Sequence, residues 1–560
     1  MKRFGTYAAI VAISWLGQAQ AVVRNQTQQL TAGEQQEIQT RLERVYGNTN
    51  QQQNVQVMNQ RIPKWTWNQQ QNRWVEVLPN QTKPHLRTRQ NFTNPLQQQA
   101  QLKADPAFQR RYCETVLRKR FPQMQCNAQG GRALVQANDK VEDLVDGYLA
   151  RNEIVRSLTS VDAKSKGETK IDLWSDDYWR LKWGATSWRY GAENLQRYTD
   201  WRRAIEAHPQ PGEWTGLVRG LPGNRNAAEL AVDRWAPSEK YDLLVGDERF
   251  GLTAAQKGTA SQSNNEDWMG ICHGWAVAAM VVPKPKRTVT GLEGARGVEV
   301  QMYPADIRAL ASLQYANGGF QSNFVGGRCN TQDPRTYANG RVIQQECFDN
   351  NPATFHLSLI NVIGKLEHSF VMDKSWDYEV WNQPIDSYQF TYFNPVERNR
   401  SVEKLTTQNW RQYAVAVDDP RFVAVDRFQK QGMVTRNLRA KYVVGVIASV
   451  QFLVESEPAR WGNTAQQDNI MRINYTYDLE LNDSAEPTGG EWHENAHPDF
   501  LWIPKWDTRS RHFVTPTHLQ DRNARTYVGR PGTIQPAAAA ASRDSYPLNA
   551  VVNYLVDQSK

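Results

Sequence analysis

The run of apolar and polar positions divides the chain into five stretches. Residues 1–21 open with Lys2 and Arg3, turn apolar from Tyr7 to Leu16 and end in the small-x-small triplet Ala19-Gln20-Ala21, the pattern of a cleaved secretory leader. Residues 22–104 are crowded with Gln and Asn and hold few aliphatic clusters beyond the aromatic island Trp65, Trp67 and Trp74, which predicts a low-order segment. Over 105–170 the period becomes helical. Asp105 and Pro106 make a cap and first-turn pair, and Phe108, Tyr112, Val116, Leu117 and Phe121 recur at helical spacing up to Pro122. Val141, Leu144, Val145, Tyr148 and Leu149 predict a second helix after Asn138 and Asp139. Residues 171–535 have the texture of a compact α+β domain in which helices precede strands. Tyr442 to Val454 alternates and contains Ser449 and Gln451, so it reads as a strand and not a membrane span. Phe355, Leu357, Leu359 and Asn361 alternate with His356, Ser358, Ile360 and Val362, and Ile473, Tyr475, Tyr477, Leu479 and Leu481 share one face; both predict strands. Residues 536–560 begin with Pro536 and a run of alanines and read as a tail. No internal repeat recurs at a fixed period.

The length permits two or more domains, but hydrophobic residues make up only 40% of the 560, because the Gln/Asn-rich part builds no core. The 20 tryptophans supply large buried area to the remainder. A net charge of +8 would favour anionic surfaces, yet Lys and Arg are dispersed among 58 acidic residues, so nucleic-acid binding gains little support.

Cysteine usage changes the picture most. Cys113 with Cys126 and Cys329 with Cys347 are close enough in sequence to be loop staples of an oxidised compartment, which leaves Cys272 unpaired. Gly270 before it, and Gly274, Ala276, Ala278 and Ala279 after it, predict a tight turn opening a buried helix. A thiolate at a helix N-terminus is stabilised by the macrodipole and becomes a usable nucleophile. Such a thiol needs a base. His273 is adjacent but points away, since successive helical side chains diverge by about 100 degrees. His356, mid-strand and later in the chain, is the better candidate. The strand Ser369 to Asp373 would run antiparallel to it, and the 17 residues from His356 to Asp373 suit a hairpin that sets Asp373 beside the imidazole. Asp377 is a reserve third member. The backbone N–H of Cys272 is a candidate oxyanion donor, with Asn265 or Glu266 upstream as possible contributors. Trp268, Trp275, Trp376 and Trp381 flank these residues and suit either an aromatic substrate wall or core packing.

A rival motif, His493-Glu494-Asn495-Ala496-His497, matches H-E-x-x-H for zinc. Gly489 and Gly490 before it and Pro498 after it oppose a helix there, and a solvent-facing turn is the simpler expectation.

The segment Tyr378-Glu379-Val380-Trp381-Asn382-Gln383-Pro384 resembles the recognition peptide of the elicitor-type transglutaminases, the Phytophthora-type elicitors and their bacterial relatives. Other stretches agree in order: Trp174 to Trp179, Ser238 to Asp247, the Cys272 run, Gly489-Gly490-Glu491-Trp492 and His497 to Trp502. The resemblance covers roughly 170 to 505. After Pro384 the chain departs from the basic elicitor peptide, reading Ile385-Asp386-Ser387-Tyr388. The resemblance implies a papain-like cysteine-protease-type catalytic domain, with a nucleophile helix packed on an antiparallel sheet and preceded by the polar and helical N-terminal region. It implies acyl transfer from protein glutamine to lysine or another primary amine, with Cys272 as nucleophile and His356 and Asp373 as base and orienter. Calcium is a family expectation, although no EF-hand loop or comparable acidic cluster is present; no other cofactor is expected. The partners would be proteins bearing Gln and Lys, with no transmembrane anchor, and the location secreted, extracellular or periplasmic. A cysteine peptidase or amidase of the same fold, and a noncatalytic secreted binding protein, remain open. So does a propeptide role for 22–170.

Overall fold

A computed structural model describes residues 139–190, 232–260 without 248, 262, 265–317 without 295–296, 321–329, 350–374, 378–426 without 398–399, 436–459 without 438, 468–493, 497–507, 541–542 and 546–560. It also describes the backbone of β1 (Lys64–Asn68), β2 (Arg73–Val77) and a short pair of strands after residue 505. The leader, Cys113, Cys126, Cys347, Trp376, Asp377 and the helix expected from Asp105 lie outside the described residues. β1 and β2 pair antiparallel with Trp67 opposite Trp74, so the aromatic island of the Gln/Asn-rich stretch is a hairpin.

The elements then run α1 (Val141–Leu144), β3 (Lys166–Glu168), α2 (Pro237–Leu244), α3 (Gly251–Thr259), α4 (Cys272–Val281), β4 (Val289–Glu293), β5 (Glu299–Met302), α5 (Pro304–Asn317), β6 (Ser322–Gly326) and α6 (Pro352–Ser358), which continues as a π-helix over Leu359–Lys365. They continue with β7 (Val371–Asp373), β8 (Asn382–Phe393), β9 (Ser401–Val402), β10 (Val415–Ala416), β11 (Tyr442–Val454), β12 (Asn469–Leu481), β13 (Pro487–Trp492), β14 (Phe500–Pro504) and, at the end, α7 (Asn549–Ser559). The main sheet is antiparallel in the order β13-β12-β11-β8-β7-β14-β6, with β3 and β9 on β8 and β10 on β11. It curls, because the Tyr475 hydroxyl on β12 meets Met372 Sδ on β7 at 3.8 Å across two intervening strands.

The long strands β11 and β12 form where apolar periodicity places them. The segment around His356 does not. Asn351 caps α6 by accepting the Ala353 N–H, and Pro352 fills the first helical turn, where its missing N–H costs nothing. Residues 352–364 are buried on every side, so apolar residues fall on both parities and the alternation carries no strand signal. No hairpin therefore joins His356 to Asp373; β7 pairs instead with β8 and β14.

Residues 139–170 belong to the same core. Gly167 of β3 lies opposite Tyr388 of β8, and Asn361 accepts from Val155 N and donates back to Val155 O. The expected second helix is a single turn, with Val141, Leu144 and Val145 buried. The tail is not loose at its end, since Val551, Val552 and Leu555 of α7 are fully buried and the Gln314 side chain of α5 donates to Asn549.

Candidate active site

Cys272 is the first residue of α4, set there by the chain before it. The Ile271 N–H donates to Tyr178 O at 2.7 Å, and a Cβ on Gly270 would stand 2.2 Å from that same oxygen, so only glycine lets the Tyr178 segment cross here. Behind the turn, a Cβ on Gly274 would lie 2.2 Å from Ser312 O, which marks the closest approach of α4 to α5. The thiol is free and buried. Among the described residues its sulfur meets Val380 O at 3.9 Å and the Asn382 side-chain amide at 3.5 Å, with the Asn382 backbone N–H directed at it as well. The Cys272 N–H makes no hydrogen bond among the described residues, which leaves a helix-start donor beside the sulfur.

Asp373 reaches the same place from β7. It lies opposite Asn382 in the β7–β8 register, its Oδ1 accepts the Trp381 N–H at 2.9 Å, and its carbonyl accepts the Asp499 N–H. Glu455, directly after β11, is also buried here and accepts from Gln383 Nε2 at 2.8 Å. Burial pushes the Glu455 carboxyl above the usual carboxylate range against the pull of Lys374. Lys374 is itself held below the usual lysine range by burial, despite Glu455, Asp373 and Glu379 around it. Burial also pushes the Cys272 thiol up to about 11; the Asn382 donors oppose that shift, and the charges of Glu455 and Asp373 add to it.

His356 is not brought to Cys272. Its ring nitrogens meet the Tyr477 hydroxyl at 2.8 Å and the Tyr392 hydroxyl at 3.0 Å, and the ring stacks on Phe390 at 3.9 Å between centroids. Phe390 is eight residues along β8 from Asn382, roughly 26 Å at ~3.3 Å per strand residue. Burial lowers the His356 pKa to about 3, so the imidazole is a neutral core group. His273 points away as expected, its Nε2 lying 3.3 Å from Ala316 O on α5.

The flanking residues divide. Trp275 is fully buried with its indole N–H on Trp174 O, which makes it core. Trp381 stands edge-on to Tyr178, and Trp268 edge-on to Tyr378. Neither upstream oxyanion candidate serves, since the Asn265 amide donates to Thr259 O and Glu266 accepts from Trp268 and Tyr378. The residues missed from sequence are Asn382, which stands inside the quoted Trp381-Asn382-Gln383-Pro384 motif, and Glu455, whose signal is a lone acid ending a long apolar strand.

The H-E-x-x-H segment follows a strand. His493 Nε2 is 3.0 Å from Asp478 Oδ1, while the His497 ring stacks parallel on Trp492. Both histidines are buried, so the solvent-facing turn expected here is replaced by packing. Among the described residues no three His, Cys, Asp or Glu side chains are grouped to hold a metal.

The family model for transglutaminase elicitors matches residues 246–530, a span that contains Cys272, Asp373, Asn382 and Glu455. The chain belongs to the transglutaminase elicitor family. Among solved structures it is similar to the GP42 transglutaminase from Phytophthora sojae, at 20% identity and a TM-score of 0.42, over 73% of this chain and 94% of that one. No curated protein matches the chain.

Proposed function

We propose that this chain is a secreted protein-glutamine acyltransferase with Cys272 as its nucleophile. The observation that carries the reading is a free thiol opening a buried helix, beside amide donors, within the span matched by the family model. The leader-like residues 1–21 support secretion, and among the described residues no helix is long and apolar enough to cross a membrane.

In this reading Glu455, and not His356, moves the protons: its buried carboxyl is close enough for its charge to bear on Cys272 and burial raises it above the usual carboxylate range, whereas the His356 nitrogens are taken by tyrosine hydroxyls. The Cys272 proton reaches the Glu455 carboxylate by way of water, since among the described residues no carboxylate oxygen touches the sulfur, and the thiolate attacks the carboxamide carbon of a substrate glutamine. As the C–N bond breaks, Glu455 returns the proton to the leaving nitrogen, and ammonia departs from an acyl-thioester. An attacking amine then forms the new C–N bond and gives its proton to Glu455, which passes it to the sulfur as the C–S bond breaks. Asp373 acts as an orienter by fixing the Trp381 N–H at the entry to β8.

The test is intact-mass analysis of a glutamine peptide incubated with a small primary amine and either wild type or Cys272→Ala. Amine adducts with wild type alone are expected. A gain of water in place of ammonia would mark an amidase, and no change with either protein would leave a binding protein.

A further inference from the structure

Among the described residues no histidine is hydrogen-bonded to Cys272, and the groups that meet its sulfur include amide donors. We propose that Asn382 is a catalytic residue that stabilises the Cys272 thiolate, and that Trp502 is a positioning residue that locks the Asn382 amide in its donating orientation. The inference deepens the acyltransferase reading, on which its catalytic meaning rests.

The orientation of a side-chain amide is usually ambiguous, because its oxygen and nitrogen are nearly isosteric. Here chemistry removes the ambiguity. The indole N–H of Trp502 can only donate, and it lies 2.8 Å from one end of the Asn382 amide. That end must be the oxygen, so the NH2 group faces Cys272 Sγ at 3.5 Å. The backbone N–H of Asn382 is directed at the same sulfur. Donors of this kind favour the charged form of a thiol, and they do so without bringing a second proton-exchanging group to the sulfur. The support is rigid. Asn382 begins β8, Trp502 lies on β14, and β7 between them in the sheet pairs with both strands through Asp373–Asn382 and Val371–Trp502. Asn382 and Trp502 are both buried, so water does not compete strongly for the relay.

A merely structural Asn382 would leave the titration of the thiol where it is. The ultraviolet absorbance of the Cys272 thiolate, taken as the difference from Cys272→Ser, therefore tests the role across a pH series in the full chain. Asn382→Leu, which has a similar volume but no donor and no charge, is expected to move the midpoint upward by about one pH unit, with about tenfold slower alkylation by iodoacetamide at neutral pH. Trp502→Phe keeps Asn382 but frees its amide to turn, and is expected to move the midpoint in the same direction by less. An unmoved midpoint in folded Asn382→Leu overturns the proposal. If near-ultraviolet circular dichroism shows that variant to be unfolded, Trp502→Phe decides, and an unmoved midpoint there overturns it. Amine incorporation by wild type is measured in parallel. Absence of transfer together with a shifted midpoint would sink the acyltransferase reading and leave the thiolate role of Asn382 standing.

Discussion

At the scale of single residues, the histidine that spacing singles out is a packing residue of the core. His356 is fully enclosed, both its ring nitrogens are occupied by tyrosine hydroxyls, and it belongs to the packing of α6 against β8 and β12. His356→Phe leaves the Tyr392 and Tyr477 hydroxyls without that partner, and a loss of about 1–3 kcal/mol per hydroxyl is expected in thermal or denaturant melts. Alkylation of Cys272 should stay at the wild-type rate; a large fall would return His356 to the mechanism. Glu455→Gln is expected to do the reverse, with stability near wild type and amine incorporation down by about 10²–10⁴-fold, the range for loss of a general acid–base group. Cys272 was legible in the sequence because an unpaired cysteine before a run of small residues is a local signal. Asn382 was not legible as a donor, since its meaning depends on a sulfur 110 positions away and on a tryptophan 120 positions away.

Elements position the nucleophile through close backbone approach. α4 is apolar along its length and is held against α5 where Gly274 faces the Ser312 carbonyl and the Ala316 backbone. A methyl group there would overlap backbone atoms, which cannot rotate away as a side chain can. Gly274→Ala is thus expected to cost about 1–3 kcal/mol and to displace the start of α4. The corresponding readout is a lowered melting temperature together with altered alkylation kinetics, whereas a helix-stabilising gain would mean that α4 and α5 sit further apart. The strands β11 and β12 were readable because a buried, twisted sheet selects apolar and β-branched runs of their length. α6 was misread because burial on all sides erases the two-residue and the 3.6-residue period alike. The signal that remained was its Asn351-Pro352 start.

For the whole molecule, buried acids and a buried histidine set opposing pH dependences. Burial raises Asp139, Asp176 and Asp242 to about 7 each, so the folded state binds protons that the unfolded state releases above about pH 4. Their contribution is complete below the unfolded carboxylate range and is lost as pH rises to about 7. His356, lowered to about 3, acts in the opposite sense, and its contribution is lost as pH falls from about 6.5 towards 3. Each group contributes a slope of about 1.4 kcal/mol per pH unit inside its window. His273 and His368, also lowered by burial, act with His356, and Glu455, raised by burial, acts with the three aspartates, so four acids outnumber three histidines between pH 4 and 6.5. Melting temperatures should therefore be higher near pH 5 than near pH 7.5, and a maximum at or above neutral pH would contradict the raised carboxyls. The Ser542 hydroxyl gives this a structural face. It lies between Asp242 and Asp247, contacts both and also accepts the Leu252 N–H, so Asp242 is buried among hydrogen-bonding groups and away from water.

The sequence by itself determined what is written in neighbouring residues: an unpaired Cys272 opening a small-residue helix, the two long strands, a leader-like start, and a motif order specific enough to point to the family. Each depends on side-chain periodicity or on a contiguous motif. Only the tertiary structure decided which groups surround the sulfur. Asn382 touches it from the start of β8, and the charges of Asp373 on β7 and Glu455 after β11 bear on it, joined by strand register and sheet curl, while His356 is carried about eight strand positions away along β8. Register is a property of paired strands and not of either strand alone, so which side chain arrives at Cys272 was settled when the sheet assembled.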